Sequence, residues 1–466
     1  MAIDEYQVPS HVTKAIKEAG YQIDTQMSTH IQQWYDWYSG KDDWYKVDYV
    51  TQAGAKRNRS RMSIRPAKRV SAEFASLILT DDTRISVDKP LANKWLQDYF
   101  DSNNFWPTGQ MLVEKGFALG TAAWALWFDV VSDDVTEIKI PRYDARMTIP
   151  LSWSEEGITE CGFVTRVTIK GKRHDQLQMH IMDEETGTYH IKTMLWRDGR
   201  PADPESVGAI SDFDTRCQSK TFGIVKPALD NTCVDLSPYD MSVFADAIDS
   251  IKAVDLAFDS IFQEVELTQV IVFMDEALID LRAKGGKTVP VPKIEHRLFR
   301  KIAGQDSKNF IDTFSPDIRI DPLKQAFDVA LAELGELCGF GQNYFVLDKG
   351  GGLKTATEVA SDNSALMRNV RKHENVIRGA IQDIATALLT CARIHCGAKI
   401  EDDFGAVSVT FDDSVITDTQ TEKNQMMAEI AAGLIPKWMY AEKFYGLSAD
   451  EAKAALPAEQ IVDIGF

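Results

Sequence analysis

The spacing of hydrophobic positions changes along this chain, and each change predicts a different kind of element. At residues 64–78 they recur every three or four positions, which predicts an amphipathic helix that ends before the polar turn at Thr80. A second helix is expected over residues 91–100. At residues 122–216, short β-branched and aromatic runs separated by turn signals predict an antiparallel meander.

Two further amphipathic helices are predicted, and both are acidic. The first would begin with Ser237 as its cap and run for roughly 30 residues, with Asp255 in one slot of its apolar stripe. The second would begin with Asp321 as its cap and Pro322 in the first turn. The residues between them contain predicted strands at 269–274 and near 310–314. This pattern indicates a small α/β unit carried on two helices.

A glycine-rich loop follows the second acidic helix. That helix breaks at Gly339, and the loop ends in GGGLKTATEV at residues 350–359. A helix of roughly forty residues with one narrow apolar stripe is expected to begin after Thr355. Beyond it, one strand is predicted at 406–411. Two short helices complete the pattern, one ending near residue 433 and one over 449–456.

Composition places the chain among soluble globular proteins, with 44% hydrophobic and 26% charged residues. The start of the chain has no cationic segment followed by an apolar run, and the longest apolar run, 117–128, is shorter than the ~20 residues of a spanning helix. We therefore expect no signal peptide and no membrane span. The aromatic segment at 34–49 is expected to form a packing arm or an interface rather than a core.

The formal net charge of −19 argues against a protein that grips nucleic acid tightly, because such binding needs many cations at phosphates. Two stretches of the chain are basic in spite of this negative net charge. Residues 56–69 carry seven basic residues and no acid, and residues 282–301 carry seven against Glu295 alone. The first could contact DNA or a neighbouring subunit, or could be a solvated face.

Catalytic and metal sites are weakly supported. Lys354 and Thr355 after a glycine-rich loop, together with a hydrophobic strand ending at Asp275 and Glu276, imitate a P-loop NTPase. Leu353, however, stands where the phosphate cradle needs glycine. The six cysteines form no CxxC pair, so we expect buried thiols in a reducing compartment. His373, His395, Cys391 and Cys396 lie on or near one predicted helix but are too few for a metal site, so buried thiols and a surface histidine are expected there. No cofactor and no metal are expected.

Several segments carry a resemblance to a known family. They are WYDWYSG at 34–40, the acidic helix at 237–266, GGLKTATEVASDNSALMRNV at 351–370, VTFDDSVITD at 409–418 and AAGLIPK at 431–437. With these segments the chain resembles the portal proteins of tailed bacteriophages, most closely those of siphophages from Gram-positive hosts. The resemblance implies an α+β portal fold: an α/β wing, a two-helix stem, a small α/β clip, a long wing helix and a short helical crown.

The resemblance also implies a division of the chain. The expected parts are an N-terminal arm and wing at 1–237, stem helix 1 at 238–268, a clip at 269–321, stem helix 2 at 322–339, a tunnel loop at 340–354, the long wing helix at 355–397, and a wing strand with the crown at 398–466.

The function implied by the resemblance is a homododecameric ring at one capsid vertex, a non-enzymatic channel for DNA packaging and ejection. Its expected partners are double-stranded DNA, terminase, head-completion or adaptor proteins, and the major capsid and scaffolding proteins, with no membrane. The expected location is the virion, and the host cytoplasm during assembly. An NTPase of the packaging machinery, or another capsid or connector protein, remains the alternative.

Three groups of residues are candidates for this role. The tunnel-loop group is Asn343, Lys349, Gly350, Gly351, Gly352 and Lys354; the acidic stem group is Asp246, Asp249, Asp328, Glu333 and Glu336; the clip group, expected to meet partner proteins, is Arg282, Lys284, Lys293, Arg297, Arg300 and Lys301.

Overall fold

The computed structural model describes most of the chain: residues 8–50, 54–80, 82–131, 134–169, 171–268, 271–275, 299–302, 311–314, 317–347, 356–411, 419–445 and 453. These residues form two compact units. Unit 1 contains those within 1–31, 71–242 and 350–466, and unit 2 contains those within 32–70 and 243–349. Segment 32–70, expected with the wing, therefore groups with the two acidic helices.

Helices and strands alternate irregularly along the described chain. The helices are α1 Ser10–Glu18, α2 Ser28–Ser39, α3 Pro66–Ile78, α4 Pro90–Ser102, α5 Phe105–Leu119, α6 Ile248–Leu267, α7 Ile320–Leu337, α8 Ala356–His395, α9 Thr419–Ala431 and α10 Trp438–Tyr445. The strands are β1 Lys46–Val50, β2 Lys56–Ser60, β3 Arg84–Val87, β4 Ala122–Ala125, β5 Trp127–Val131, β6 Asp134–Lys139, β7 Arg142–Asp144, β8 Thr148–Ser154, β9 Gly157–Ile169, β10 Lys172–Met182, β11 Tyr189–Arg197, β12 Arg200–Ala202, β13 Asp212–Asp214, β14 Phe222–Val225, β15 Ile271–Asp275, β16 Phe299–Ile302, β17 Ile311–Phe314 and β18 Val407–Thr410.

The larger sheet of unit 1 is the predicted antiparallel meander. Its strands follow the order β12-β11-β10-β9-β8, and β13 adds to β11. Alternate side chains point to opposite faces of a strand, so Ile149, Val164 and Leu177 lie together on one face. Val12 and Ile16 of α1 complete this core.

The predicted long helix is confirmed as α8, and it packs directly on a second sheet of order β14-β4-β7. A Cβ added at Gly223 of β14 would lie 2.2 Å from the carbonyl oxygen of Ala380, so glycine permits this close approach. The apolar stripe of the helix is fully buried at Val370, Ile377, Ile381, Ile384 and Leu388. The strand predicted after the helix is β18, which pairs with β3.

Unit 2 contains the hairpin β1–β2, the helices α6 and α7, and a sheet of order β16-β15-β17. The helices pack through Phe258 and Phe327, whose ring centroids are 5.9 Å apart. The two strands predicted between the acidic helices are confirmed as β15 and β17. The third strand, β16, runs parallel to β15 and was not anticipated by the sequence pattern.

The first acidic helix begins at Ile248 instead of near Ser237. The Ser237 hydroxyl accepts the Tyr239 N–H at 3.2 Å, which forms a local turn and not a helix cap. The Tyr239 hydroxyl then donates to the Thr148 carbonyl at 2.9 Å, and the Asn231 amide donates to the Tyr239 carbonyl at 2.7 Å. These hydrogen bonds, all in unit 1, hold the backbone out of a helix.

Other boundaries also differ from the expectation. The residue before α7 is Arg319, so Asp321 stands in the first turn of the helix and is not its cap. The predicted helix at 449–456 lies outside the described residues except for Lys453, and α10 was not predicted. Helix α5 was not predicted either. Its apolar residues lie on several sides of the helix, so its sequence shows no clear hydrophobic period.

Four of the seven rings in the N-terminal aromatic segment at 34–49 are core, contrary to the expectation of a packing arm or an interface, whereas Tyr49 at its end is exposed. Trp34 and Trp37 are each 2% exposed, and Tyr38 and Tyr45 are buried with them in unit 2. Their spacing of three and four residues on α2 places the first three rings on one helix face. Tyr45 can be buried because most of its side chain is an apolar ring. Its one hydroxyl then needs a hydrogen-bond partner.

The expectations for thiols and His373 are met only in part. All six cysteines are free, and four are buried, but Cys233 is half-buried and Cys396 is exposed. His373 is 1% exposed and His395 is half-buried, so the expected surface histidine is found at neither position. The Nδ1 of His373 accepts the Ala228 N–H at 2.9 Å, and burial lowers the pKa of His373 to about 3. One satisfied hydrogen bond makes a neutral imidazole acceptable in the core.

Candidate functional site

A buried carboxylate interrupts the apolar stripe of α6. Asp255 is fully buried and accepts three hydrogen bonds, from the hydroxyls of Tyr45 at 2.7 Å and Ser63 at 2.6 Å and from the Ile64 N–H at 3.0 Å. Burial raises the pKa of Asp255 above its ordinary value, and the three hydrogen bonds oppose that shift without cancelling it. This acid therefore binds the segment after β2 to the helix.

One turn further along α6, Asp259 forms an ion pair with β2. Two guanidinium nitrogens of Arg59 reach its two carboxylate oxygens, each at 2.9 Å. The Met62 N–H also donates to Asp259 at 3.0 Å, and the Gln263 amide donates at 2.6 Å. Burial alone would raise the pKa of Asp259, but these donors and the Arg59 charge hold it below its ordinary value.

A second bidentate pair joins the far end of α6 to the start of α7. Arg319 donates through two guanidinium nitrogens to the two oxygens of Glu264, each at 2.9 Å, and its backbone N–H donates at 3.2 Å. These hydrogen bonds hold the pKa of Glu264 below its ordinary value. The two ends of the segment that contains β15, β16 and β17 are thereby held together at one point.

The acids of the helix pair consequently divide into two sets. The first set is Asp255, Asp259 and Glu264, which form hydrogen bonds and ion pairs inside unit 2. The exposed set includes four of the five acids in the predicted stem group: Asp246, Asp249, Glu333 and Glu336. Asp249 lies 2.9 Å from the Lys252 ammonium, an exposed pair that contributes little to stability.

The fifth predicted acid, Asp328, is half-buried and anchors the turn after α7. It accepts the Leu347 N–H at 3.2 Å. A Cβ at Gly335 would lie 2.4 Å from the Gly341 carbonyl oxygen, so the turn also folds closely back on the helix. Gly341 itself has a φ of +86°, which favours glycine.

This turn is packed through its aromatic residues. Phe340 and Phe345 are buried with ring centroids 5.1 Å apart, and the Arg69 guanidinium lies 5.9 Å from the Phe345 ring. Asn343 is exposed. The first part of the predicted tunnel loop is therefore a packed turn. The other predicted loop residues, Lys349, Gly350, Gly351, Gly352 and Lys354, lie outside the described residues.

The clip group is described only in part. Arg300 and Lys301 belong to β16, which pairs with β15. Arg282, Lys284, Lys293 and Arg297 lie outside the described residues.

Much of the first basic stretch is used within its own chain. Arg59 binds Asp259, and Arg61 donates to the Trp44 carbonyl and lies 4.1 Å from the Trp44 ring. In contrast, the side chains of Lys56 and Arg57 are exposed and make no contact with a partner in the described part of the chain. Sequence reasoning missed the role of Arg59. The acid in the apolar stripe of α6, Asp255, signalled buried polar contacts on this helix but not the pair of Arg59 with Asp259.

The described residues contain no group of three or more histidines, cysteines or acids placed to hold a metal ion. The described residues ahead of the glycine-rich loop, 338–347, form a packed turn and contain no strand. A P-loop needs a strand before its glycine-rich loop.

The profile of one protein family, described as phage portal protein, SPP1 Gp6-like, matches residues 21–463. The chain belongs to this phage portal protein family. Among solved structures similar to it is a chain from the neck of a native GTA particle computed with C12 symmetry. That chain is 13% identical and has a TM-score of 0.39, and the match covers 82% of this portal protein and 90% of the other chain. No curated protein is significantly similar in sequence.

As a portal protein, the chain is a structural component of the virion and a connector between head and tail. The mixed helix and sheet architecture agrees with the predicted α+β fold. Within the described residues, no helix is both long enough and apolar enough to cross a bilayer. The assignment to phages of Gram-positive hosts stays a prediction.

Proposed function

We propose that the portal protein forms a homododecameric ring at one capsid vertex, and that double-stranded DNA is packaged and later ejected through its centre. The family assignment supports this role. The observation in the structure that carries it is the exposed set of acids: Asp246 in the turn before α6, Asp249 on α6, and Glu333 and Glu336 on α7. Asp255, Asp259 and Glu264, in contrast, make their contacts inside unit 2. We propose that the exposed set, together with Asp328, lines the channel.

A channel with this charge favours sliding over binding. Twelve copies of a chain with net charge −19 carry about −230 formal charges, so the ring as a whole repels the phosphate backbone. Weak repulsion along the wall keeps the duplex hydrated and leaves no strong site at which it could stall. Contact is then restricted to the tunnel-loop group, where Lys349 and Lys354 supply the cations.

The partners follow from the stages of assembly. Terminase would dock on the clip during packaging, and head-completion or adaptor proteins would replace it, while scaffolding and major capsid proteins would surround the ring in the host cytoplasm. We assign docking to the clip group. Charge reversal at Arg297, Arg300 and Lys301 is expected to weaken the binding of terminase to the purified ring, and unchanged binding would remove these residues from the interface.

The channel assignment is tested by reversing the exposed charge on α7. A variant with Glu333→Lys and Glu336→Lys should still form rings but should package DNA several-fold more slowly, because ammonium groups on the wall would bind phosphates. A matched control is Glu184→Lys with Glu185→Lys, two exposed acids on a turn of unit 1. Normal packaging in the first variant, with rings intact, would place Glu333 and Glu336 away from DNA.

We propose that the ring has no catalytic activity of its own, in keeping with a structural family. The alternative of a P-loop-like NTPase predicts that the purified ring hydrolyses ATP and that Lys354→Ala abolishes the hydrolysis. Another kind of capsid or connector protein would leave DNA passage unaffected by changes on the helix pair.

A further inference from the structure

The hairpin β1–β2 is fixed at its base and exposed at its end. At the base, Val47 is opposite Arg59, and Arg59 is bound to Asp259 of α6. At the end, Tyr49 is opposite Arg57, and one residue further Val50 is opposite Lys56. We call Tyr49, Val50, Lys56 and Arg57 the hairpin end.

Both faces of the hairpin end are uncovered. Consecutive cross-strand pairs point to opposite faces of a two-stranded ribbon, so the Tyr49–Arg57 pair and the Val50–Lys56 pair face in opposite directions. Tyr49 is 47% exposed and Val50 is 64% exposed. An apolar and basic surface on a ribbon anchored at one end suits an arm that contacts another molecule.

A complementary surface lies where α6 ends and α7 begins. The bidentate pair between Glu264 and Arg319 holds these two points of the chain together. Within two residues of this pair in the chain, three apolar side chains are exposed: Phe262 at 44%, Val265 at 51% and Ile318 at 54%. Three acids are exposed among them: Glu266, Asp317 and Asp321. We call these six residues the distal patch.

The two surfaces match in character but do not cover each other within one chain. Tyr49, Phe262 and Ile318 are all exposed in the same unit, so the hairpin end leaves the distal patch of its own chain open. A rotationally symmetric ring needs two different surfaces on each subunit, one for each neighbour. One apolar and basic surface together with one apolar and acidic surface meets that need.

We propose that the hairpin end of each subunit docks on the distal patch of the next subunit in the ring. This proposal rests on the proposed ring. Apolar contact would come from Tyr49 and Val50 against Phe262, Val265 and Ile318. Lys56 and Arg57 would pair with Asp317 and Asp321 at the rim. The acids assigned to the channel are not part of this contact.

The test uses complementary charge reversals in the full-length chain. Variant A carries Lys56→Glu with Arg57→Glu, and variant B carries Asp317→Lys with Asp321→Lys. The control is Lys172→Glu with Arg173→Glu, the same Lys-Arg pair exposed on the β9–β10 hairpin of unit 1. Mass photometry of each purified protein measures the fraction in rings, and circular dichroism checks the fold.

The expected pattern is specific. Variants A and B alone should each need about tenfold or more protein to form rings, because like charges would face each other at every contact. The control should match the wild-type protein. An equimolar mixture of A and B should recover rings, since in an alternating ring every hairpin end meets a patch of opposite charge.

Other outcomes separate the causes of failure. If variants A and B form rings as well as the wild-type protein does, the proposed hairpin contact is wrong, but the proposed ring is supported. If A forms normal rings but loses DNA binding, the hairpin end serves DNA and the proposal is overturned. If the wild-type protein forms no ring, the proposed function fails first.

A crosslinking measurement covers the case in which the charge variants misfold. Arg57→Cys with Asp317→Cys, in a background with Cys396→Ser, should give a ladder of crosslinked subunits with a short bismaleimide, and Arg57→Cys alone should not. A ladder absent from rings of the double variant would contradict the contact.

Discussion

Arg59 and Asp259 are 200 positions apart in the chain and form a two-point ion pair, with both N···O distances at 2.9 Å. The carboxylate side chain is 2% exposed and the guanidinium side chain is 34% exposed. The pair joins the N-terminal hairpin to the first helix of the acidic pair. The pair makes Asp259 an internal contact of unit 2, and it anchors the arm proposed to reach the next subunit.

Removal of Arg59 should therefore destabilise unit 2. Arg59→Ala leaves a buried carboxylate with fewer donors, and we expect a loss of about 2 kcal/mol in the free energy of unfolding. Arg59→Lys should recover only part of this, because an ammonium cannot bind both oxygens in the same geometry. Urea unfolding measures the effect. Lys14→Ala is the control, since its pair with Glu18 is exposed on both sides and should matter little. Equal stability of Arg59→Ala and wild type would contradict the account.

Acid should destabilise unit 1 through two buried histidines. Burial lowers the pKa of His180 and of His373 to about 3 in the folded protein, whereas the unfolded chain takes up the proton near pH 6.5. Stability is thus fully present above pH 6.5 and is lost as pH falls from there toward 3, by about 1.4 kcal/mol per pH unit for each histidine.

Unfolding curves at pH 7 and pH 5 check this prediction. His373→Gln should lower stability at pH 7, because the Ala228 N–H loses its acceptor geometry, but should reduce the difference between the two pH values. An unchanged difference between the two pH values would show that His373 does not contribute to the pH dependence.

The turn after α7 should depend on one glycine. Gly335→Ala would place a methyl group 2.4 Å from the Gly341 carbonyl oxygen, so the turn must move at a cost of about 1–3 kcal/mol. Gly379→Ala on α8 is the control, because nothing lies within 4 Å of an added Cβ there, and it should stabilise by about 0.5–1 kcal/mol. Thermal unfolding of both variants compares the two sites. Equal effects would contradict the close approach at Gly335.

The loop lysines should matter for DNA and not for assembly. Lys349→Ala with Lys354→Ala removes two cations from each subunit next to the glycine run. Rings should form normally, while packaged heads should retain less DNA, because fewer phosphate contacts remain. Packaging and DNA retention assays on phage carrying the double variant measure this, and wild-type values in both would exclude a role for the lysines.

The sequence predicts the elements of this fold better than their partners. Periodicity found the long helix α8, the meander, and the strands β15 and β17, because each signal is local. It misplaced the start of α6, since the cap signal at Ser237 is overruled by hydrogen bonds to residues distant in the chain.

Long-range contacts explain why the sequence predicted the exposed acids of the candidate site but not the partners of its buried acids. The hydrogen bonds of Asp255 reach Tyr45 and Ile64, which lie 210 and 191 positions away. A polar residue in an apolar stripe signals that a partner exists but not which one. The exposed acids Asp249, Glu333 and Glu336, in contrast, follow from the helical pattern alone, because no distant group is needed to leave them in solvent.

Electron microscopy of the purified full-length protein in negative stain tests the central claim most directly. The account predicts closed, turbine-shaped rings with a central hole, and mass photometry of the same sample should give about 630 kDa for twelve chains of 52.2 kDa. A uniform population of compact particles near 52.2 kDa, at concentrations where portal rings should assemble, would contradict it.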